Sequence, residues 1–247
     1  MRYLATVSYN GTNYCGWQKQ PQGLSVQMVI EDVLSGIINQ RTGIYASGRT
    51  DAGVHAIGQT FHFDSKEIAD LSRFTYSLNL LLPSDIKIVS IKAVPASFDA
   101  RKSVTKKEYR YFLVPRAKDP FIKNIVTLYA YPFDIKIINE ILHKLQGFHN
   151  FKGFTSKKTD LFHFKRTINL VEFSEGEYFG ATGFCFRFIG DGFMRYQIRM
   201  MVGTILAIAS GKASAAYLDQ LLMSDNKEVT RYNADPNGLY LWEVSYD

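Results

Sequence analysis

The segment Gly48-Arg49-Thr50-Asp51-Ala52-Gly53-Val54-His55-Ala56 carries an acid, a guanidinium, a hydroxyl and an imidazole within seven residues. A carboxylate presented in this way can attack a carbon as a nucleophile or take a proton as a base. It can equally do no more than cap a turn. Glycines at 48 and 53 allow positive φ or close approach of another group to the backbone. His55 and His62 show no metal-ligand spacing to other donors, and both read as loop or packing histidines.

The flanking residues read as the elements that would hold this loop. Gly43 to Ser47 is rich in strand formers at its centre. In Gly58 to Asp64, residues Thr60, His62 and Asp64 fall on one face and Phe61 and Phe63 on the other. The result is strand, loop, strand. A bare reversal would need only a two-residue turn. Polar side chains on a loop between rigid strands are well placed for chemistry.

The wider composition is that of a folded globular chain. It has 247 residues, 46% hydrophobic and 21% charged, enough for one large or two modest domains. The net charge is +6, which favours a polyanionic partner, and 18 Phe with 15 Tyr supply both core and stacking surface. Cys15 and Cys185 are far apart with no Cys-x-x-Cys spacing, so a reducing, cytoplasmic compartment is expected. No apolar run is long enough to span a membrane, and no signal core opens the chain. There is no dinucleotide fingerprint, P-loop or metal cluster, so no cofactor, nucleotide or metal is expected.

Along the chain, Arg2 to Tyr9 alternates as a strand. Ser25 caps a helix whose apolar positions are Val26, Val29, Ile30, Val33, Leu34, Ile37 and Ile38. A second helix, containing Phe74, Leu78 and Leu81, is closed by Pro83, and Asp85 to Val94 is a strand. Asp134 begins a helix ended by Gly147. Gly192 opens a helix running to Ser210, with Ile198, Val202 and Ile205 as its stripe and Arg199 beside it. Ala213 to Met223 is one more helix, and Gly238 onward is a final strand. Arg101, Lys102, Lys106, Lys107 and Arg110 interleave with Tyr109 and Tyr111. That pattern suits a phosphate backbone and an unstacked base, or an edge strand guarded by lysines.

Nine consecutive residues, Gly48 to Ala56, resemble the catalytic-aspartate signature of the TruA family of tRNA pseudouridine synthases. The resemblance continues in family order. Asn10-Gly-Thr-Asn-Tyr-Cys-Gly-Trp-Gln-Lys-Gln20 matches with Asn10 where Asp is usual. Ser25-Val26-Gln27, Phe98-Asp-Ala-Arg101 and Lys107-Glu-Tyr109-Arg110-Tyr111 match too. Phe148 to Phe154 matches with Gly153 in place of serine, and Phe193 to Gly203 and Gly238 to Leu241 complete the series.

The resemblance implies an α+β pseudouridine-synthase fold: two similar halves, each with a mainly antiparallel sheet flanked by helices, joined across a central basic cleft. Residues 1–104 would carry the Asp loop and 105–247 would complete the cleft. It implies a cofactor-free isomerase converting uridine to pseudouridine in the anticodon stem-loop of tRNA (positions 38, 39 and 40), working as a homodimer. Asp51 would be nucleophile or base, and Arg199 its ion-pair partner, holding it ionised. Tyr109 would stack on the uracil, Arg49 would meet the displaced nucleotide or phosphate, and Leu241 would line the substrate site. The bland alternative for Arg199 is a snorkelling side chain. Trp17 reads as structural. Lys157, Lys158 and Lys165 fall in a polar stretch that is either RNA-facing or simply solvated. The functional alternative is an RNA-binding relative without turnover; an unrelated hydrolase would need a second carboxylate that no motif supplies.

Overall fold

The computed structural model describes residues 1–116, 118–156, 163–223 and 228–247. Lys157 and Lys158 lie outside them. The chain forms two compact units: Met1–Thr105 with Tyr240–Asp247, and Lys106–Leu239.

The first unit opens with strand β1 (Arg2–Tyr9), helix α1 (Val26–Ile38), the short β2 (Tyr45–Ala46), β3 (His55–Asp64), α2 (Leu71–Leu81) and β4 (Ile86–Val94). β1 lies antiparallel between β3 and β4, so alternate residues of β1 enter the core and Tyr3, Ala5, Val7 and Tyr9 are all buried. The Ser25 hydroxyl caps α1 by accepting from the Met28 N–H. α1 ends at Asn39, which takes the left-handed conformation at φ 53°. Asp70 caps α2 in the same way as Ser25 caps α1, accepting from the Arg73 N–H.

β3 departs from its expected pattern. It begins at His55 rather than Gly58, and both of its faces are buried. Phe61 and Phe63 pack as foreseen. On the polar face Thr60 and His62 are covered and each has a partner, while Asp64 stays exposed in an ion pair with Arg2. The Thr60 hydroxyl bonds the Tyr246 hydroxyl at 2.5 Å. His62 stacks on Tyr45 and accepts the Ala100 N–H at Nδ1. A buried polar side chain is tolerated on such terms.

The second unit holds β5 (Val104–Val114, its first two residues in the first unit), β6 (Thr127–Leu128), α3 (Ile135–Leu142), β7 (Gly147–Asn150), β8 (Lys165–Tyr178), β9 (Ala181–Gly190), α4 (Gln197–Ala209) and α5 (Ala215–Leu222). Its strands run in the order β5, β9, β8, β7 with antiparallel pairing, and β6 adds to β5 in parallel. Phe173, Phe184 and Phe186 form one aromatic cluster across β8 and β9. α4 starts five residues later than the sequence suggests. Tyr196 sits at φ 66°, outside the helical region, so Gly192–Tyr196 cannot be its first turn. Almost every side chain of α4 is buried, including Met200, Met201, Thr204 and Leu206, so it is a core helix rather than a one-stripe helix.

The last strand, β10 (Leu239–Tyr246), returns to the first unit. It lies parallel to β3, pairing Tyr240 with His55 and Leu241 with Ala56. Chain order alone had grouped these residues with the second half. Among the described residues, no helix is long and apolar enough to cross a membrane.

Candidate active site

The Asp51 loop connects β2 to β3 and is held by the segment that follows β1. At its entrance, the Tyr9 hydroxyl bonds the Thr50 hydroxyl at 2.9 Å, and the Trp17 N–H donates to the Thr50 carbonyl at 3.2 Å. Within the loop, the Val54 N–H donates to the Asp51 carbonyl at 3.2 Å, which closes the turn around the acid. The Gly53 N–H donates to the Tyr14 carbonyl at 3.3 Å, with Gly53 at φ 76°. At the exit, His55 Nδ1 accepts the Gly11 N–H at 3.0 Å. Hydrogen bonds thus tie the loop on both sides of Asp51.

Two glycines make the close approach possible. A Cβ on Gly11 would lie 2.1 Å from the Val54 carbonyl oxygen. Gly16, at φ 101°, would place one 2.7 Å from the Thr50 carbonyl oxygen. No side chain fits either position without moving the backbone. Trp17 is buried between Tyr9 and Phe61, with centroids 5.9 and 6.0 Å away, and its role is packing. Asn10 uses its side-chain carbonyl to accept from the Thr12 N–H and hydroxyl, a task that Asp would perform equally well.

Asp51 itself is half-buried. Arg49 is exposed, and its Nε donates to Gln18 Oε1 at 2.9 Å. Leu241 is fully buried and is brought beside the loop by its pairing with Ala56. The first unit therefore gathers Arg49, Asp51 and Leu241 around one loop and its exit strand.

The second unit holds Tyr109 and Arg199. Tyr109 is a buried residue of β5, paired with Phe188 on β9, and its ring meets Phe193 edge to face at 5.3 Å. Arg199 lies in the first turn of α4, half-buried, with its guanidinium 5.4 Å from the centre of the Tyr196 ring. Its Nε donates to the Ala234 carbonyl at 2.8 Å. On the strand face opposite Tyr109, the Glu108 carboxylate accepts from both Arg110 (2.7 Å) and Arg187 (2.9 Å). Burial pushes that carboxyl up, but the two guanidiniums outweigh it and hold it below its ordinary range. Arg110, read from the sequence as an RNA contact or a guard charge, is thus one member of an ion-pair network with Glu108 and Arg187.

A family model described as tRNA pseudouridine synthase matches residues 5–101 and 141–247. The chain belongs to that family. Curated relatives match it end to end. It is similar to tRNA pseudouridine synthase A of Anoxybacillus flavithermus, 41% identical over 250 residues that cover 100% of this chain and 99% of that one. The enzyme of the same name from Streptococcus mutans is 37% identical over the same shares. That of Exiguobacterium sibiricum is 40% identical over 99% of this chain and 96% of its own. Among solved structures, a Cbf5–Nop10–Gar1 complex matches 83% of this chain and 54% of that chain at 12% identity and a TM-score of 0.37, a likeness too slight to decide anything.

The segments matched by the tRNA pseudouridine synthase model contain Arg49, Asp51, Arg199 and Leu241, while Tyr109 falls between them. The sequence motifs pointed to these five residues. They gave no sign of His55 as an anchor, because its partner is a main-chain N–H at Gly11, which no side-chain pattern can announce.

Proposed function

We propose that this chain isomerises uridine to pseudouridine in the anticodon stem-loop of tRNA, at positions 38, 39 and 40, with Asp51 as its reacting group. The observation that carries the reading is the end-to-end match to relatives named tRNA pseudouridine synthase A, with Asp51 on a loop tied down at both ends. The ribose C1′–N1 bond breaks, the uracil turns, and C1′ rejoins at C5, whose proton is then released. Asp51 acts as nucleophile at C1′ or as base at the ribose. N1, freed of the ribose, takes up a proton as C5 loses one, so substrate and product are isomers and no cofactor is required.

In this reading Arg199 pairs with Asp51, a role suited to a planar guanidinium that holds a carboxylate ionised. Tyr109 offers its ring to the extruded uracil, Arg49 takes the place that uracil leaves in the stack, and Leu241 closes the apolar side of the site. Extrusion costs on the order of a few kcal/mol, offset by stacking and phosphate contacts. The net charge of +6 supports a polyanionic substrate. The protein works as a cytoplasmic homodimer.

The test is tritium release from tRNA transcribed with [5-³H]uridine. The wild-type chain releases tritium and Asp51→Asn does not. Full turnover by Asp51→Asn would remove the acid from the mechanism.

A further inference from the structure

His55 is almost fully buried, at 1% exposure, although it lies only four residues beyond Asp51. Two of its contacts are specific. Nδ1 accepts the buried Gly11 N–H at 3.0 Å, which places the ring proton on Nε2 and makes the imidazole neutral. The ring stacks on Tyr240 with centroids 4.6 Å apart and planes 25° apart. Tyr240 is its register partner on β10. The neighbouring Val54 carbonyl touches Gly11 so closely that no Cβ fits between them. The loop exit is therefore clamped between the segment after β1 and the strand β10, and one side chain bridges the two.

We infer that His55 is a positioning residue for the reaction: its neutral Nδ1 pins the exit of the Asp51 loop and so sets the direction of the Asp51 carboxylate. This rests on the reading of Asp51 as the reacting group. The clamp needs an uncharged acceptor aimed at a main-chain N–H and a flat face for Tyr240. Of the alternatives, Asn has the acceptor without the face, and Phe has the face without the acceptor. Losing the acceptor leaves a buried N–H unsatisfied and frees the loop to shift. A reacting group displaced by a fraction of an ångström loses rate rather than affinity.

The experiment measures single-turnover rate and KM for His55→Phe, His55→Asn and Asp51→Asn on the same tritiated tRNA, with thermal unfolding of each. His55→Phe is expected to lose about 10- to 100-fold in rate with KM changed by less than about 2-fold, and His55→Asn to recover to within about 5-fold of wild type. Should His55→Phe fail to fold, His55→Gln replaces it. Its acceptor stands one bond too far out for the Gly11 N–H, and it is expected to be slow where Asn is fast. An inactive Asp51→Asn together with a fast acceptor-less variant, or equal losses in the acceptor-bearing and acceptor-less variants, overturns the role of His55 alone. An active Asp51→Asn overturns the reading beneath it.

Discussion

Arg199 and Ala234 grip each other twice: the Ala234 N–H donates to the Arg199 carbonyl at 3.0 Å, and Arg199 Nε donates to the Ala234 carbonyl at 2.8 Å. The side chain is thereby held at its Nε. Gly203, one turn along α4, lets this segment approach, since a Cβ there would lie 2.9 Å from the Ala234 nitrogen.

It follows that charge alone is not enough at position 199. Arg199→Lys keeps the cation but has no Nε donor. We expect its tritium-release rate to fall by at least about 10-fold, with the thermal midpoint little changed, and Arg199→Ala to fall further. A lysine variant as fast as wild type would show that the double grip has no bearing on turnover.

Gly11→Ala is expected to be costly, because the new methyl group meets main chain rather than a flexible side chain. A destabilisation of about 1–3 kcal/mol in urea unfolding is expected, with a matching loss of rate as the Asp51 loop is pushed outward. Gly36 on α1 provides the contrast. A Cβ there meets nothing within 4 Å, so Gly36→Ala should stabilise the chain by about 0.5–1 kcal/mol.

Glu108→Ala leaves the Arg110 and Arg187 guanidiniums facing each other without their shared carboxylate. Both arginines are partly solvated, so the expected cost is about 2 kcal/mol, below that of a fully buried pair. Because the Glu108 carboxyl titrates below its unfolded value, its contribution is present above about pH 4.5 and is lost as pH falls through the folded value. Acid titration of stability should therefore be shallower in Glu108→Gln than in wild type.

His62 shows the corresponding behaviour for a base. Burial, then the Arg2 charge, lowers its pKa, against a smaller opposing pull from Asp99 and Asp64. In the unfolded chain it titrates near 6.5, so just below that pH the unfolded state binds a proton that the folded state refuses. Stability from this group is complete above about pH 6.5 and declines as pH drops towards the folded value. Unfolding midpoints from pH 5 to 8 should show a smaller decline for His62→Asn, which can still accept the Ala100 N–H.

The sequence was most readable where local rules and burial agree. Ser25 and Asp134 do cap helices, and β1 alternates as its residues alternate. It was least readable where a distant partner decides. The residues of β3 show that Thr60 and His62 share a face, but not that Tyr45, Ala100 and Tyr246 meet them there. The false first turn of α4 has helix-compatible residues, but Tyr196 adopts a backbone conformation that composition does not reveal. Of the site, Asp51 and its glycines stood out because chemistry and motif coincide in one segment. His55 did not, since imidazole looks the same whether it is ornament or anchor.

The return of β10 to lie beside β3 also sets a timetable for biosynthesis. A ribosome releases residues 1–105 before Tyr240–Asp247, so while residues 106–239 are being made β3 has no parallel neighbour and the His55 imidazole has no phenol ring to rest on. Until Tyr240–Asp247 follow, the nascent Asp51 loop has its bonds to Tyr9, Gly11, Tyr14 and Trp17 but lacks the strand that flanks its exit.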